Sequence, residues 1–162
     1  MVEVVRFSRR GSGVRGEGDA LFAARPDGRF EGYASLFGIA DGAGDVMARG
    51  AFAGSLRRRG AGGVKLLYQH AAAEPIGVWT ELYEDALGLF ARGRVLTDLE
   101  RGRDVLALMR EGALDGLSVG FKTRQARTDR RTGARTILEA DLWEVSVVTF
   151  PMLEGARVRR VG

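Results

Sequence analysis

Residues 136–150 read TILEADLWEVSVVTF, and this stretch decides the fold. β-branched and aromatic residues are frequent in it, and it contains neither glycine nor proline, which is typical of a buried strand. Because it is long for one strand, we predict a long strand or a bent strand pair. Two carboxylates, Asp141 and Glu144, interrupt the apolar run, and each is costly there unless it has a partner.

Shorter segments with strand-like composition lie before this stretch, separated by polar turns. The predicted strands cover residues 30–38, 64–70, 76–83, 89–96 and 117–121. A loop is predicted at residues 40–44, and residues 128–135 form a polar hairpin loop that leads into the long strand.

Two helices are predicted between the strands. The first covers residues 50–59 and ends at Gly60. In the second, Thr97 and Glu100 form a capping box, and Gly112 can end the helix. Its buried stripe consists of Val105, Leu106, Leu108 and Met109. The sequence therefore predicts an α+β fold, in which mostly antiparallel strands form a small barrel or a strongly bent sheet with flanking helices.

The first part of the chain differs in composition from the rest. Residues 8–18 are polar and glycine-rich, which favours a mobile segment, and residues 2–7 alternate as an edge strand would. We predict a partly flexible segment at residues 1–29 and one domain at residues 30–162. No apolar run suits a signal peptide or the ~20 residues of a membrane span, so we expect a soluble intracellular protein.

The composition excludes several kinds of site. The 162 residues include one histidine and no cysteine, which rules out a disulfide framework, a thiol nucleophile and a cysteine-based zinc site. Carboxylates alone suit magnesium or calcium better than zinc, and we predict neither a metal nor a cofactor. The net charge is +4 and nearly all basic residues are arginine. Such a bias also follows from a GC-rich genome, and no aromatic stacking platform accompanies it, so we do not predict nucleic acid as a partner.

His70 is the only histidine in the chain, so any chemistry that requires an imidazole must use it. It ends the predicted strand at residues 64–70 and precedes the loop AAAEP, which can leave one face of the ring open. The alternative interpretation is a structural histidine whose hydrogen bonds are satisfied.

Ser118 lies in the motif GLSVG at residues 116–120, which matches the G-x-S-x-G nucleophile elbow of α/β-hydrolases. That fold needs a histidine after the serine, and none follows His70, so we reject an esterase of that kind. If the apolar neighbours of Ser118 point into the core, its own side chain points the other way with a glycine on either side. It would then be accessible to an extended peptide. The alternative is an ordinary serine on the solvent face of a strand.

A third group must orient His70 if the histidine acts as a catalytic base. Glu144 is the first candidate, because an imidazole N–H would compensate for the burial of its carboxylate. An ion pair with an arginine is the alternative. Asp141 is the second candidate, and we expect it to be more exposed because it is nearer the start of the strand. Ser146 shares the face of Glu144 by the period of two and can supply a supporting hydroxyl.

Several phrases in the chain, taken in order, resemble one known family. They are GYASLFG at 32–38, GDV at 44–46 with GAF at 50–52, LYQH at 67–70, PIGVW at 75–79, GALDGLSVGF at 112–121 and DLWEVSVVTFP at 141–151. Together they are similar to the prohead proteases of HK97-type tailed phages, which are also found in phage-derived gene transfer agents. The likeness runs from about residue 30 to residue 157.

The resemblance implies a serine endopeptidase with a fold similar to that of the herpesvirus capsid-maturation proteases. It implies that His70 and Ser118 fill the family's histidine and serine positions. The herpesvirus enzymes use a second histidine as the third member, and this chain has none. A carboxylate must therefore replace it. Glu144 lies on the strand where it is expected, and Asp141 is the alternative.

The resemblance also implies a substrate and a place of action. The expected substrate is the major capsid protein or its scaffold segment, cleaved within the prohead shell in the cytoplasm of the bacterial host. A homo-oligomer is compatible with it, and neither a membrane nor nucleic acid is expected as a partner. The rival from another class is a non-catalytic basic module that acts as a capsid scaffold or binds nucleic acid.

Overall fold

The computed structural model describes residues 27–162 of the chain. The predicted edge strand at residues 2–7 and the polar segment at 8–18 lie outside this range. The described elements, in chain order, are β1 (Arg29–Leu36), β2 (Asp45–Met47), α1 (Ala53–Gly63), β3 (Lys65–Tyr68), β4 (Pro75–Glu84), β5 (Gly88–Val95), α2 (Glu100–Arg110), β6 (Gly116–Thr128), β7 (Arg135–Val148) and β8 (Val158–Val161).

The long apolar stretch forms β7, which organises the sheet. One edge of β7 pairs with β6 in antiparallel fashion along almost its whole length. The other edge pairs in parallel with two short strands, β2 near its start and β3 near its end. The predicted strand at residues 117–121 is too short, because the polar second half of β6 is held by main-chain pairing with β7 in an exposed hairpin rather than by apolar burial.

The remaining strands continue from β3 in the order β4, β5, β1 and β8, and every pairing among them is antiparallel. The sheet then curls round, so that β8 and the segment before it contact the start of β6. The Leu117 N–H donates to the Ala156 carbonyl at 2.9 Å, and the Val158 N–H donates to the Asp115 carbonyl at 2.8 Å. The prediction of an α+β fold with a strongly bent, mostly antiparallel sheet is confirmed.

Two details of the helix predictions are wrong. Gly60 does not end α1; it has φ 62° and ψ 175° and forms a kink within a helix that continues to Gly63. In α2 no side chain caps the first turn, and the helix starts at Glu100, too late for Thr97 to act as its cap.

The predicted buried stripe of α2 is also partly wrong, because Leu108 is 42% exposed. Gly102 is buried instead, with no room for a side chain: a Cβ there would lie 2.0 Å from the Leu96 carbonyl oxygen. The helix therefore approaches the sheet through its glycine.

The core fills the space between the curled sheet and the helices. Its largest fully buried side chains include Phe52, Ile76, Leu89, Leu117 and Leu142. Within residues 27–162, neither helix is long and apolar enough to cross a membrane.

Candidate active site

The backbone at His70 adopts an unusual conformation. Gln69 and His70 have φ values of 52° and 60°, and among residues 27–162 they are the only non-glycine residues with positive φ. This left-handed region costs roughly 1–2 kcal/mol per residue. The prediction that the strand continues to residue 70 is wrong, because β3 ends at Tyr68 and the left-handed pair turns the chain.

This turn brings the His70 ring to β7. In the β3–β7 register Lys65 is level with Glu144, so a straight continuation would put His70 level with Thr149. That level is five residues, or roughly 16 Å, beyond Glu144 along the strand. Instead, His70 Nδ1 lies 2.5 Å from Glu144 Oε1. Because an ionised carboxylate only accepts hydrogen bonds, Nδ1 carries the proton, and the neutral ring keeps Nε2 as an acceptor.

Glu144 is fixed by contacts on both carboxylate oxygens. Ser146 Oγ donates to Glu144 Oε2 at 2.7 Å, and the same Oγ accepts the His70 backbone N–H at 3.0 Å. Ser146 is fully buried. The carboxylate also lies against Gly120 on β6, where an added Cβ would be 2.0 Å from Glu144 Oε1. His70, Glu144 and Ser146 thus form a closed ring of hydrogen bonds.

The hydrogen bond that the His70 ring donates to Glu144 raises the pKa of His70 above its ordinary value of 6.5. Partial burial of the ring acts in the opposite direction and is outweighed. The arrangement therefore favours the imidazolium that would form when His70 takes a proton.

Ser118 lies on β6 opposite Ser146 of β7 and is 6% exposed. Among the described residues its hydroxyl has no hydrogen-bond partner. Ser118 and His70 line the same cleft, which has a volume of about 230 Å³. The cleft therefore gives a substrate access to both side chains.

The sequence suggested that the glycines on either side of Ser118 leave its side chain open to a substrate. In the structure they do not. At Gly116 a Cβ would meet the Val148 carbonyl oxygen at 2.6 Å and Pro151 at 2.8 Å, and at Gly120 the space is taken by Glu144. Both glycines allow close packing, and Ser118 is reached through the cleft.

Asp141 belongs to a different cluster. It is buried rather than exposed, contrary to the prediction, and accepts hydrogen bonds from Arg59, Arg124 and the Trp143 indole N–H. Burial alone would raise the pKa of Asp141, but these hydrogen bonds outweigh it and hold that pKa well below its ordinary range. Asp141 forms no hydrogen bond with His70; it joins α1 to β6 and β7.

No group of three or more His, Cys, Asp or Glu side chains in residues 27–162 is arranged to hold a metal ion. Sequence analysis noted Gly120 only as a neighbour of Ser118 and missed its contact with Glu144. It also missed the hydrogen bonds between the side chain of Gln69, next to His70, and Thr149. Gln69 and Thr149 belong to the phrases LYQH and DLWEVSVVTFP, but only the fold shows that these phrases meet.

A family model described as Caudovirus prohead serine protease matches residues 21–161. The chain belongs to this family. The resemblance drawn from the sequence motifs is therefore confirmed, and membership in a family of serine proteases does not favour the non-catalytic binding module.

Two prohead proteases are similar to the chain in sequence. That of Enterobacteria phage HK97 is 37% identical over 133 residues, which cover 81% of this chain and 59% of the HK97 protein. That of Escherichia phage T5 is 30% identical over 88 residues, covering 53% of this chain and 40% of the T5 protein. The chain thus spans less than two thirds of the length of these curated relatives.

A likeness in structure to the bacteriophage T4 capsid assembly protease supports the fold. The bacteriophage T4 capsid assembly protease superposes with a TM-score of 0.62 at 15% identity, covering 79% of this chain and 85% of that chain. The varicella-zoster virus protease gives a TM-score of 0.49 at 14% identity, covering 81% of this chain and 62% of that chain.

Proposed function

We propose that this prohead protease family member is a serine endopeptidase in which Ser118 is the nucleophile, His70 the general base and Glu144 the group that orients the base. The observation that carries this proposal is the 2.5 Å contact between His70 Nδ1 and Glu144 Oε1 at a cleft that Ser118 also lines. A carboxylate, an imidazole and a hydroxyl in this order are the parts of a serine protease triad.

The chemistry follows from these roles. As Ser118 Oγ attacks the peptide carbonyl carbon, its proton passes to His70 Nε2. His70 then delivers this proton to the leaving amine as the C–N bond breaks, which leaves an acyl-enzyme. A water molecule attacks the ester, gives its proton to His70, and the product acid leaves as Ser118 recovers a proton. Glu144 stabilises the imidazolium in both halves of the reaction.

The lining of the cleft bears on what is cleaved. Its walls are mainly apolar, with contributions from Ala34, Leu36, Ile39, Met47, Val119 and Met152. Asp41 and Asp45 also line it, and Asp45 is ion-paired with Arg135. We therefore expect an apolar substrate side chain to be preferred, and an acidic one to be disfavoured by the two carboxylates.

We also propose that the natural substrate is a capsid protein or its scaffold segment, and that cleavage takes place inside an assembling prohead in the host cytoplasm. Membership of the family and the names of its phage relatives support this. Confinement within a shell raises the local concentration of substrate, so a modest intrinsic affinity would suffice.

The experiment is active-site labelling with a fluorophosphonate probe, followed by peptide mapping. We expect the label on Ser118, none on Ser118→Ala, and much slower labelling of His70→Ala. Thr80→Ala is the control, because Thr80 is exposed on β4 and does not line the cleft. A folded wild-type chain that does not react, or that reacts at another serine, would refute the proposal. Loss of capsid-protein cleavage by Ser118→Ala in co-expression then tests the substrate.

A further inference from the structure

The left-handed pair Gln69–His70 needs an explanation that the triad alone does not provide. Neither residue is glycine, so both carry a Cβ into a region that disfavours it. Such strain persists only where surrounding contacts hold it, and it tends to occur at functional sites.

The contacts that hold this pair come from the end of β7 and from Thr149, the residue that follows it. The Gln69 backbone N–H donates to the Val147 carbonyl at 3.0 Å, and the His70 N–H donates to Ser146 Oγ at 3.0 Å. The Gln69 side chain makes two more bonds with one residue: its Nε2 donates to Thr149 Oγ1 at 2.7 Å, and its Oε1 accepts the Thr149 backbone N–H at 3.2 Å.

The Gln69 amide replaces the peptide group that β3 would have offered. If β3 continued in register, the backbone next to Thr149 would belong to His70. Because the chain turns away at Gln69, that backbone is missing. A primary amide has the same N–H donor and C=O acceptor as a peptide group. The Gln69 side chain therefore makes hydrogen bonds with Thr149 in place of the missing backbone.

We propose that Gln69 and Thr149 form a positioning clamp that keeps His70 in the left-handed conformation from which its ring contacts Glu144. The clamp rests on the proposed function for its catalytic consequence. Neither residue touches the reacting atoms, so both act through His70. Release of the clamp lets the turn relax, and the fraction of molecules with the ring in place falls.

The first test is kinetic. Gln69→Ala removes both bonds of the side-chain amide, and Thr149→Val removes the one to Thr149 Oγ1. We expect each variant to lower kcat about tenfold, the effect of one or two ordinary hydrogen bonds, with KM little changed. Thr149→Ser keeps the hydroxyl and should stay within about twofold of wild type. Because the two residues act as one unit, the double variant Gln69→Ala/Thr149→Val should be no slower than the single variants.

The second test does not depend on activity. His70 is the only histidine, so a tag-free chain gives one set of imidazole NMR signals, and their titration reports the pKa of His70 directly. We expect the clamp variants to move this pKa down toward its ordinary value, and Thr149→Ser to leave it unchanged. Thr149 is exposed, so its variants should fold even if those of Gln69 do not.

The outcomes separate the two proposals. An unchanged titration and unchanged kcat in folded Thr149→Val would overturn the clamp. A shifted titration in a chain whose wild type cleaves nothing and reacts with no probe would support the clamp and refute the protease assignment.

Discussion

Gly120→Ala provides a severe test of the site, because it adds one methyl group at a position that does not itself line the cleft. In β6 a Cβ at residue 120 would lie 2.0 Å from Glu144 Oε1, 2.7 Å from its Cδ and 2.8 Å from its Cγ. Ordinary contact begins near 3.4 Å, so the carboxylate oxygen must move by about 1.4 Å. The atoms in the way belong to the end of a flexible side chain, and the fold should therefore survive.

The loss of activity can be bounded from this displacement. Misplacement of a catalytic group by about 1 Å costs about 10²-fold, and complete loss of the orienting carboxylate about 10⁴-fold. We expect Gly120→Ala to lower kcat/KM by about 10²–10⁴-fold, or roughly 3–5 kcal/mol of transition-state stabilisation. Thermal unfolding should change little.

The assay is kcat/KM on a peptide substrate, with unfolding followed by circular dichroism. Gly62→Ala is the matched control, because a Cβ there meets nothing within 4 Å. In a Glu144→Ala background, Gly120→Ala should cost almost nothing further, since the group it displaces is already gone. If folded Gly120→Ala kept wild-type activity, the observed position of Glu144 would not be the one that the reaction uses.

Four further predictions can be tested by activity and unfolding measurements. Since only neutral His70 is a base and its pKa is raised, kcat/KM should rise with pH through a pKa above 6.5, and Glu144→Gln should move this limb to lower pH. The His70–Glu144 contact should likewise stabilise the fold most below pH 6.5, with this contribution lost as pH rises through the folded-state pKa. Asp141→Asn should lower the unfolding midpoint but leave the pH–rate profile unchanged; if it alone abolished activity in a folded chain, Asp141 would be the orienting acid. Peptides with leucine at the cleaved position should be preferred to glutamate, and Ile39→Asp should weaken that preference; equal rates would contradict it.

The sequence predicts most of the architecture because its apolar patterns match the strands closely. β4, β5 and β7 lie within a residue or two of their predicted bounds, since each buries a regular set of apolar side chains. Elements that are stabilised mainly by main-chain pairing are harder to predict from the sequence. The three-residue β2 and the polar half of β6 bury little, and neither carries an apolar pattern.

An irregularity in the pairing of β6 with β7 makes the burial of the residues on β7 difficult to predict from the sequence. The register shifts between Gly120 and Phe121, which leaves Trp143 as an extra residue on β7. Buried core positions accordingly change from the even-numbered Ala140 and Leu142 to odd-numbered residues beyond the bulge. A pattern that alternates buried and exposed residues along the whole of β7 therefore misjudges which of the two carboxylates, Asp141 or Glu144, is buried.

The triad candidates themselves could be named because the composition leaves few alternatives. One histidine and no cysteine reduce the choice of base and nucleophile, and the family phrases narrow it further. The left-handed turn at Gln69 could not be predicted, because neither residue in it is a glycine or an asparagine, the types that signal this conformation.

The junction between β6 and the segment before β8 has a consequence for the order of events during synthesis. The strand that carries Ser118 is anchored at its start by Ala156, some 39 residues later in the chain. A ribosome-bound chain that has just completed β7 therefore lacks the contact that fixes this end of the strand. We therefore expect the end of β6 beside Ser118 to be fixed only after residues 156–158 have emerged from the ribosome.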